Sequence, residues 1–371
     1  MPSSVMKGGT LPEFILAIRE CCRFRRLMVV CGSSCSRLDA ARALRETDSI
    51  PQSWFQDFSP NPDYSSVVSG LEYFRRETCD AILAVGGGSA LDVAKCIKLF
   101  YGLDTRENLL QQTPIPNTIP LIAVPTTAGT GSEATRYAVI YYLGEKQSVT
   151  SSSIIPDYVF MDPSVLDTLS PYQKKVTVMD ALCHGIESLW SLNSTEESRD
   201  LSLKSVRLIL SNLDGYLAGD RSAAAQMLDA AHIAGKAINV AQTTAGHAMC
   251  YKLTSLFHIP HGHAAALCVS VLWPYMISHI SQTADLRGPG HLSDVFSDLS
   301  GCFRTPDSEG AARSFGQLIG RLELEPNIHP SPKELDILVH SVNPVRLKNN
   351  PLPLSEETLY SLYRQIFRLS N

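Results

Sequence analysis

The sequence predicts two domains of different class. An α/β domain built on a parallel sheet is expected over residues 1–168, and an all-α domain over residues 169–371. Three observations predict this. The first half carries short aliphatic or β-branched runs, each closed by turn residues and followed by a helical pattern. After Asp162-Pro163 those runs stop, and apolar residues recur at helical spacing. The length of 371 residues suits two domains, and 44% hydrophobic with 19% charged residues is a globular composition that excludes disordered, collagen-like and coiled-coil chains.

Taken in order, the strands are expected at Leu27–Cys31, Ala81–Val85, Leu121–Val124 and Tyr158–Met161. The first ends at Gly32-Ser33-Ser34, the second at Gly86-Gly87-Gly88-Ser89. The third runs into Pro125-Thr126-Thr127, the fourth into Asp162-Pro163. Strands alternating with helices make βαβ units, which require a parallel sheet with helices on both faces. The boundary falls near Leu166–Ser170, where Ser170-Pro171 is a helix-start signal. Helices are then expected over Val176–Leu192, Glu196–Leu217, Ala223–Ala241, Gly246–Leu256, Ala264–Ile280, Ser308–Leu322 and Glu356–Phe367. The stretch Gln282–Asp298, rich in Gly, Ser and Asp, gives the weakest signal.

Several function classes are excluded early. A net charge of −5 without a basic block argues against a nucleic-acid partner. The longest apolar runs are strand-sized, so no membrane span is expected. The first residues lack the apolar core and cleavage site of a signal peptide. The ten cysteines are scattered with no CxxC pair, as suits small core residues in a reducing compartment. A cytoplasmic protein acting on a small molecule is the expectation.

Gly86-Gly87-Gly88-Ser89 joins a strand to a helix start. Glycines allow close backbone approach, and a helix N-terminus offers free N–H groups to a pyrophosphate. The segment is neither GxGxxG nor a P-loop, and alone it reads equally well as a tight turn that binds nothing. A second polar turn, Pro125 to Glu133, follows the next strand. Ligands of open parallel sheets bind beyond the carboxyl ends of the strands, so two such turns at one edge favour a nucleotide site.

The helical half contains Asp180 and His184 at i and i+4. That spacing puts them on one helix face, where they can chelate a divalent first-row metal, although an isolated pair of this kind more often makes an ordinary helix-face hydrogen bond. His247 and His261 come later. On one straight helix they would stand about 21 Å apart, too far to share an ion. Pro260 should end the first helix, so that His261 opens a segment that folds back. One carboxylate and three imidazoles suit Fe2+ or Zn2+. His232, His258 and His263 read as secondary polar residues.

These segments resemble the iron-containing (group III) alcohol dehydrogenases, from about Leu11 to Phe367. The motifs are Asn61-Pro62, GGGSALDVAK (Gly86–Lys95), PTTAGTGSEAT (Pro125–Thr135), PDYVFMDP (Pro156–Pro163), DALCHGIE (Asp180–Glu187) and GHAMCYKL…IPHGHA (Gly246–Ala264). The resemblance implies a dinucleotide-binding α/β domain, an all-helical metal domain and an active site in the cleft between them. It implies NAD(P)-dependent interconversion of an alcohol and an aldehyde or ketone. By residue, it implies Asp180, His184, His247 and His261 as metal ligands and Gly87, Gly88 and Ser89 as the pyrophosphate loop. Asn61, Thr126, Thr127, Thr135, Lys146 and Val165 match cofactor-contacting positions.

Two departures from the family pattern matter. Where the family usually has a second His, four residues after its third ligand, this chain has Tyr251, which leaves the proton relay to a phenol or to water. Where many NAD-preferring members end the first strand with Asp, this chain has Gly32-Ser33-Ser34, so a 2′-phosphate is not repelled and NADPH is admitted beside NADH. The wording around residues 135–159, 247–257 and 342–351 is most similar to the phosphonoacetaldehyde reductases of the family. They imply reduction of phosphonoacetaldehyde to 2-hydroxyethylphosphonate, in phosphonate biosynthesis. Arg136, Lys252, Arg346 and Lys348 lie in those segments, each either a solvated surface charge or a cation for a dianion, with Lys252 the first candidate by its place beside Tyr251. The rivals are a reductase of a neutral aldehyde or diol, such as lactaldehyde or 3-hydroxypropanal, and a metal-dependent lyase of the dehydroquinate-synthase type. The expected partner is an aldehyde or alcohol, with a homodimer as the assembly to test.

Overall fold

The computed structural model describes residues 4–369. The chain divides into two units, Met1–Ser170 and Pro171–Asn371, two residues beyond the 168/169 division read from sequence.

The first unit is built on a six-stranded sheet of β1 (Ser4–Lys7), β2 (Leu27–Cys31), β3 (Gln52–Phe55), β4 (Ala81–Gly86), β5 (Leu121–Pro125) and β8 (Tyr158–Met161). The order is β1-β8-β5-β4-β2-β3, and every pair is parallel. Between β5 and β8 stands an antiparallel hairpin of β6 (Tyr137–Tyr142) and β7 (Glu145–Thr150). The helices are α1 (Leu11–Cys22), α2 (Asp39–Arg45), α3 (Tyr64–Arg76) and α4 (Gly88–Phe100). Strands β2 and β4 are buried along their whole length, as strands covered on both faces must be. Side chains alternate across a strand, so Met28, Val30, Ile82 and Ala84 share one face and pack with Val67, Leu71 and Phe74 of α3 and Val93 and Ile97 of α4.

The chain passes from β2 to β3 on one side, then to β4 on the other. The order therefore reverses between β2 and β4, the point where open α/β sheets bind ligands. Cys31 is in register with Val85, and Gly86 with Pro125, so β2, β4 and β5 finish at one level.

Four strands were not expected. β1 and β3 are four-residue edge strands whose sequences mix polar and apolar residues. The β6–β7 hairpin turns at Leu143-Gly144, both left-handed with φ of 52° and 78°. Two such residues make the type I′ turn that suits twisted strands.

The second unit is helical throughout: α5 (Pro171–Trp190), α6 (Glu196–Leu217), α7 (Arg221–Ala241), α8 (Ala245–Phe257), α9 (His261–Ser278), α10 (Gly288–Phe303), α11 (Ser308–Arg321), α12 (Pro332–His340), α13 (Pro344–Leu347) and α14 (Glu356–Ile366). Helix α5 is buried without a break from Val178 to Trp190 and packs against α6, α7, α9 and α10. α10 occupies the stretch of weakest signal. Its core side chains Leu292, Val295, Phe296 and Leu299 do follow helical spacing, and Pro289 near its start is a helix-opening residue. α12 and α13 were likewise not expected. Among the described residues no helix is long and apolar enough to cross a membrane.

Candidate functional site

Within the first unit, the residues expected to hold a dinucleotide gather at the carboxyl edge of the sheet. Gly87 is the N-cap of α4 and Gly88 its first residue. A Cβ on Gly87 would lie 3.2 Å from Thr127, and one on Gly88 3.1 Å from Thr130. The two polar turns therefore touch, and glycine is what allows it. The N–H of Thr126 donates to the carbonyl of Gly86 at 3.0 Å, extending the β4–β5 ladder into the turns. The N–H of Asn61, in the left-handed region at φ 57°, donates to Ser89 Oγ at 3.2 Å. Gly32 closes β2 and caps a short 3-10 turn, and Val165 is buried in the 3-10 turn after β8. Lys146 lies on β7 opposite Tyr141, whose N–H bonds the carbonyl of Pro62.

A buried lysine fastens this edge. Lys95 of α4 is fully buried, and its ammonium donates to the carbonyls of Ser132, Thr135 and Tyr137 at 2.5, 2.9 and 2.8 Å. It also reaches Ser132 Oγ at 3.0 Å and Thr135 Oγ1 at 3.2 Å. Ser132 Oγ in turn donates to Asp92 at 3.0 Å. Burial lowers Lys95 to about 8 against the pull of Asp92 and Glu133, and raises Asp92 to about 6 against Lys95. The ammonium thus holds the second turn against the helix of the first.

In the second unit, α5 carries Asp180 and His184 one turn apart inside its buried run. α8 ends at Phe257, His258 turns left-handed, and Pro260 is the N-cap of α9, whose first residue is His261. The break brings His261 back to His247. Ligand atoms of Asp180, His247 and His261 all lie within 4.8 Å of one another. Nε2 of His247 is 3.6 Å, and Nε2 of His261 3.8 Å, from Asp180 Oδ1. Donors bound at roughly 2.0–2.2 Å to one tetrahedral centre stand roughly 3.3–3.6 Å apart, so these pairs lie at and just beyond the spacing an ion would draw them to. Asp180 Oδ1 and His247 Nε2 are buried with no hydrogen-bond partner among the described residues, the state expected of atoms meant for a cation. His184 stands beside this trio, its ring stacked on that of His247 at 4.5 Å and 18°. Gly262 sets the approach: a Cβ there would come within 2.3 Å of the carbonyl of Val176 and 2.6 Å of Asp180 Cβ.

Sequence reasoning quoted Glu187 inside a motif without giving it a role. The structure gives it one. Its carboxylate, fully buried, meets His247 Nδ1 and accepts from Thr244 Oγ1 at 2.6 Å and from the N–H groups of Thr244 and His247 at 3.2 and 3.3 Å. A carboxylate on the far nitrogen fixes the tautomer that leaves Nε2 free for a metal. Its place one turn past His184 was the available signal. Burial opposes charge on these groups, but the pairings outweigh it. Asp180 and Glu187 are held below the usual carboxylate range, Asp180 by His184, His261 and His247 together, Glu187 by His247. His247 is raised to about 9 by Glu187 and Asp180.

Tyr251 stacks on His261 at 5.6 Å and 8°, and the Arg346 guanidinium lies 5.1 Å from the Tyr251 ring centre. Burial pushes the Tyr251 phenol well above its ordinary value, and Arg346 offsets only part. Lys252 is the next residue on α8 and half-buried, but adjacent helical positions do not share a face. Lys348 is exposed. His263 is held by Tyr172 Oη at 3.1 Å and by the carbonyl of Leu324 at 2.5 Å, in keeping with a secondary polar role.

Comparison with known proteins follows the same division. Residues 3–163 match the iron-containing alcohol dehydrogenase family, and residues 175–367 match the Fe-containing alcohol dehydrogenase family, C-terminal. Aldehyde-alcohol dehydrogenase 2 of Entamoeba histolytica is 32% identical over 253 residues, which is 64% of this chain but only 29% of that protein. Phosphonoacetaldehyde reductase of Streptomyces viridochromogenes is 31% identical over 333 residues, 85% of this chain and 82% of that one. The crystal structure of sulfoacetaldehyde reductase from Bifidobacterium kashiwanohense in complex with NAD+ superposes with a TM-score of 0.88 at 26% identity, covering 98% of this chain and 97% of that one. Both units, with their loops and ligand trio, place the chain in the iron-containing alcohol dehydrogenase family.

Proposed function

We propose that this protein is a metal-dependent NAD(P)H aldehyde reductase whose substrate carries an anionic head group, with phosphonoacetaldehyde, reduced to 2-hydroxyethylphosphonate, as the leading substrate. The observation that carries the anionic reading is the stack of Arg346 on Tyr251 on His261. It sets a cation one aromatic ring away from His261 of the ligand trio. Two relatives support it, since a phosphonoacetaldehyde and a sulfoacetaldehyde reductase both take an aldehyde bearing an acid group. Arg346 takes the place first given to Lys252, because Arg346 is the cation held against the stack.

Asp180, His184, His247 and His261 would hold Fe2+, with Zn2+ as the alternative. Gly87–Ser89 would receive the pyrophosphate, with Asn61, Thr126, Thr127, Thr135, Lys146 and Val165 around the rest of the cofactor. When bound, the metal supplies Lewis acidity toward the carbonyl oxygen and the reduced nicotinamide supplies the hydride. The chain's own residues do the remainder. Arg346 draws the acid group and orients the aldehyde. Glu187 keeps His247 in the ligating tautomer. Tyr251, protonated at neutral pH, is the proton donor of the reductive direction.

The test is an NADH and NADPH oxidation assay after metal reconstitution. Phosphonoacetaldehyde, sulfoacetaldehyde, lactaldehyde and 3-hydroxypropanal are compared. Phosphonoacetaldehyde should give the highest kcat/KM. Arg346→Ala should raise its KM by roughly ten- to a hundred-fold, the value of a charge-assisted contact, and barely change the neutral aldehydes. A wild type that prefers a neutral aldehyde overturns the anionic reading.

A further inference from the structure

The two histidines of the ligand trio are arranged alike. Each turns Nε2 toward Asp180 Oδ1, at 3.6 Å for His247 and 3.8 Å for His261. An imidazole nitrogen can face a cation only when it bears no proton, so the proton must sit on Nδ1. That N–H then needs an acceptor on its far side. For His247 the acceptor is Glu187. For His261, Nδ1 lies 3.4 Å from the sulfur of Cys250, within reach of a hydrogen bond to sulfur.

Cys250 is fully buried on α8, three residues after His247 and so on the same side of that helix. Its S–H donates to the carbonyl of His247 at 3.3 Å. With that proton committed, the sulfur faces His261 as an acceptor. The chain of bonds runs from His261 Nδ1–H to Cys250 Sγ–H to the carbonyl of His247. The opposite polarity, S–H toward Nδ1, would put the ring proton on Nε2 and aim it at the ligand trio, closing the site to a cation.

We propose that the Cys250 thiol is a positioning residue of the metal centre, holding His261 in the tautomer and orientation that direct Nε2 at the ion. One turn of α8 thereby supplies a ligand, His247, and the support of the next ligand, His261. His261 needs a support more than His247 does. It is the first residue of its helix, and its side chain is 36% exposed against 2% for His247.

This inference rests on the trio binding a metal, and the experiment separates the two claims. Wild-type protein, stripped of metal, is titrated with Co2+ in the presence of a competing chelator, and its visible absorption is recorded. No uptake by the wild type would defeat the metal assignment itself. Given uptake, Cys250→Ala should bind Co2+ about ten- to a hundred-fold more weakly, with a shifted absorption band, because His261 loses its orienting partner. Cys250→Ser keeps a hydroxyl that both donates and accepts, and should recover most of the affinity and the wild-type band. Nucleotide affinity should be unchanged in both. Wild-type affinity and spectrum in Cys250→Ala would overturn the proposal. So would a Cys250→Ser protein, folded by circular dichroism, that binds Co2+ no better than the alanine variant, since that result means packing alone. Should the alanine variant not fold, the serine variant decides: near-wild-type Co2+ affinity supports the proposal and a loss beyond tenfold overturns it.

Discussion

At the scale of single residues, Gly32 is where a missing side chain should set the cofactor preference. It ends β2 beside the point where strand order reverses, where a carboxylate would bind the adenosine ribose and repel a 2′-phosphate. Gly32 has φ −78° and ψ 174°, extended backbone open to any residue, and a Cβ there would meet nothing within 4 Å. Gly32→Asp can therefore be made without strain. It should shift the ratio of NADH to NADPH kcat/KM by roughly ten- to a hundred-fold toward NADH, through charge repulsion. Steady-state kinetics with both cofactors read this directly, and a wild type that already rejects NADPH would defeat the argument. Asp180, His247 and His261 were legible because a helix period and one proline constrain where they point. Glu187 and Cys250 were not assigned roles. Nothing in a sequence tells a carboxylate or thiol aimed at a ring nitrogen from one that fills space, and that difference appears only when α5, α8 and α9 are packed together.

At the scale of elements, legibility followed length and setting. Long helices with one apolar face, such as α6, came through residue for residue, and so did the apolar strands β2 and β8. The edge strands β1 and β3 did not, since Ser4–Lys7 and Gln52–Phe55 mix polar with apolar residues where β8 is an apolar run. The hairpin β6–β7 was passed over although Leu143-Gly144 is a turn. The join between elements matters as much, and Lys95 is the joint between α4 and the turn that opens toward β6. Lys95 and Asp92 are joined through Ser132 Oγ rather than in direct contact, and removing the buried cation leaves that carboxylate and the turn carbonyls uncompensated, at about 3–5 kcal/mol. Lys95→Met should therefore destabilise the protein by about that amount in urea unfolding and weaken nucleotide binding, as the second turn loses its hold. Adding Asp92→Leu should restore much of the stability, because the stranded carboxylate is gone, but not the nucleotide affinity. Additive losses in the double variant would mean that Lys95 and Asp92 do not act as a pair.

At the scale of the whole molecule, the trio sews three helices of the second unit together, and this ties stability to metal and pH in opposite senses. In metal-free protein His247 is raised from 6.5 to about 9, because Glu187 and Asp180 outweigh its burial. The folded state then keeps a proton that the unfolded chain releases between those values. The resulting stabilisation, about 3 kcal/mol, is fully present below about pH 6.5 and lost as pH rises through about 9. A bound metal needs the ring neutral, so binding must expel that proton, and affinity falls about tenfold for each pH unit below 9. The metal-free protein should thus lose stability across pH 6.5–9 while the metal-bound protein gains it relative to the stripped form. The measurement is the difference in Tm between metal-loaded and chelator-treated protein, taken across that range at fixed metal concentration. The difference should widen steadily with pH in the wild type. In Glu187→Gln, where the amide cannot raise the ring, the widening should be confined to the lower end of the range. A pH-independent difference in both proteins would show that His247 holds no proton for the metal to displace, and that Glu187 orients the ring without charging it.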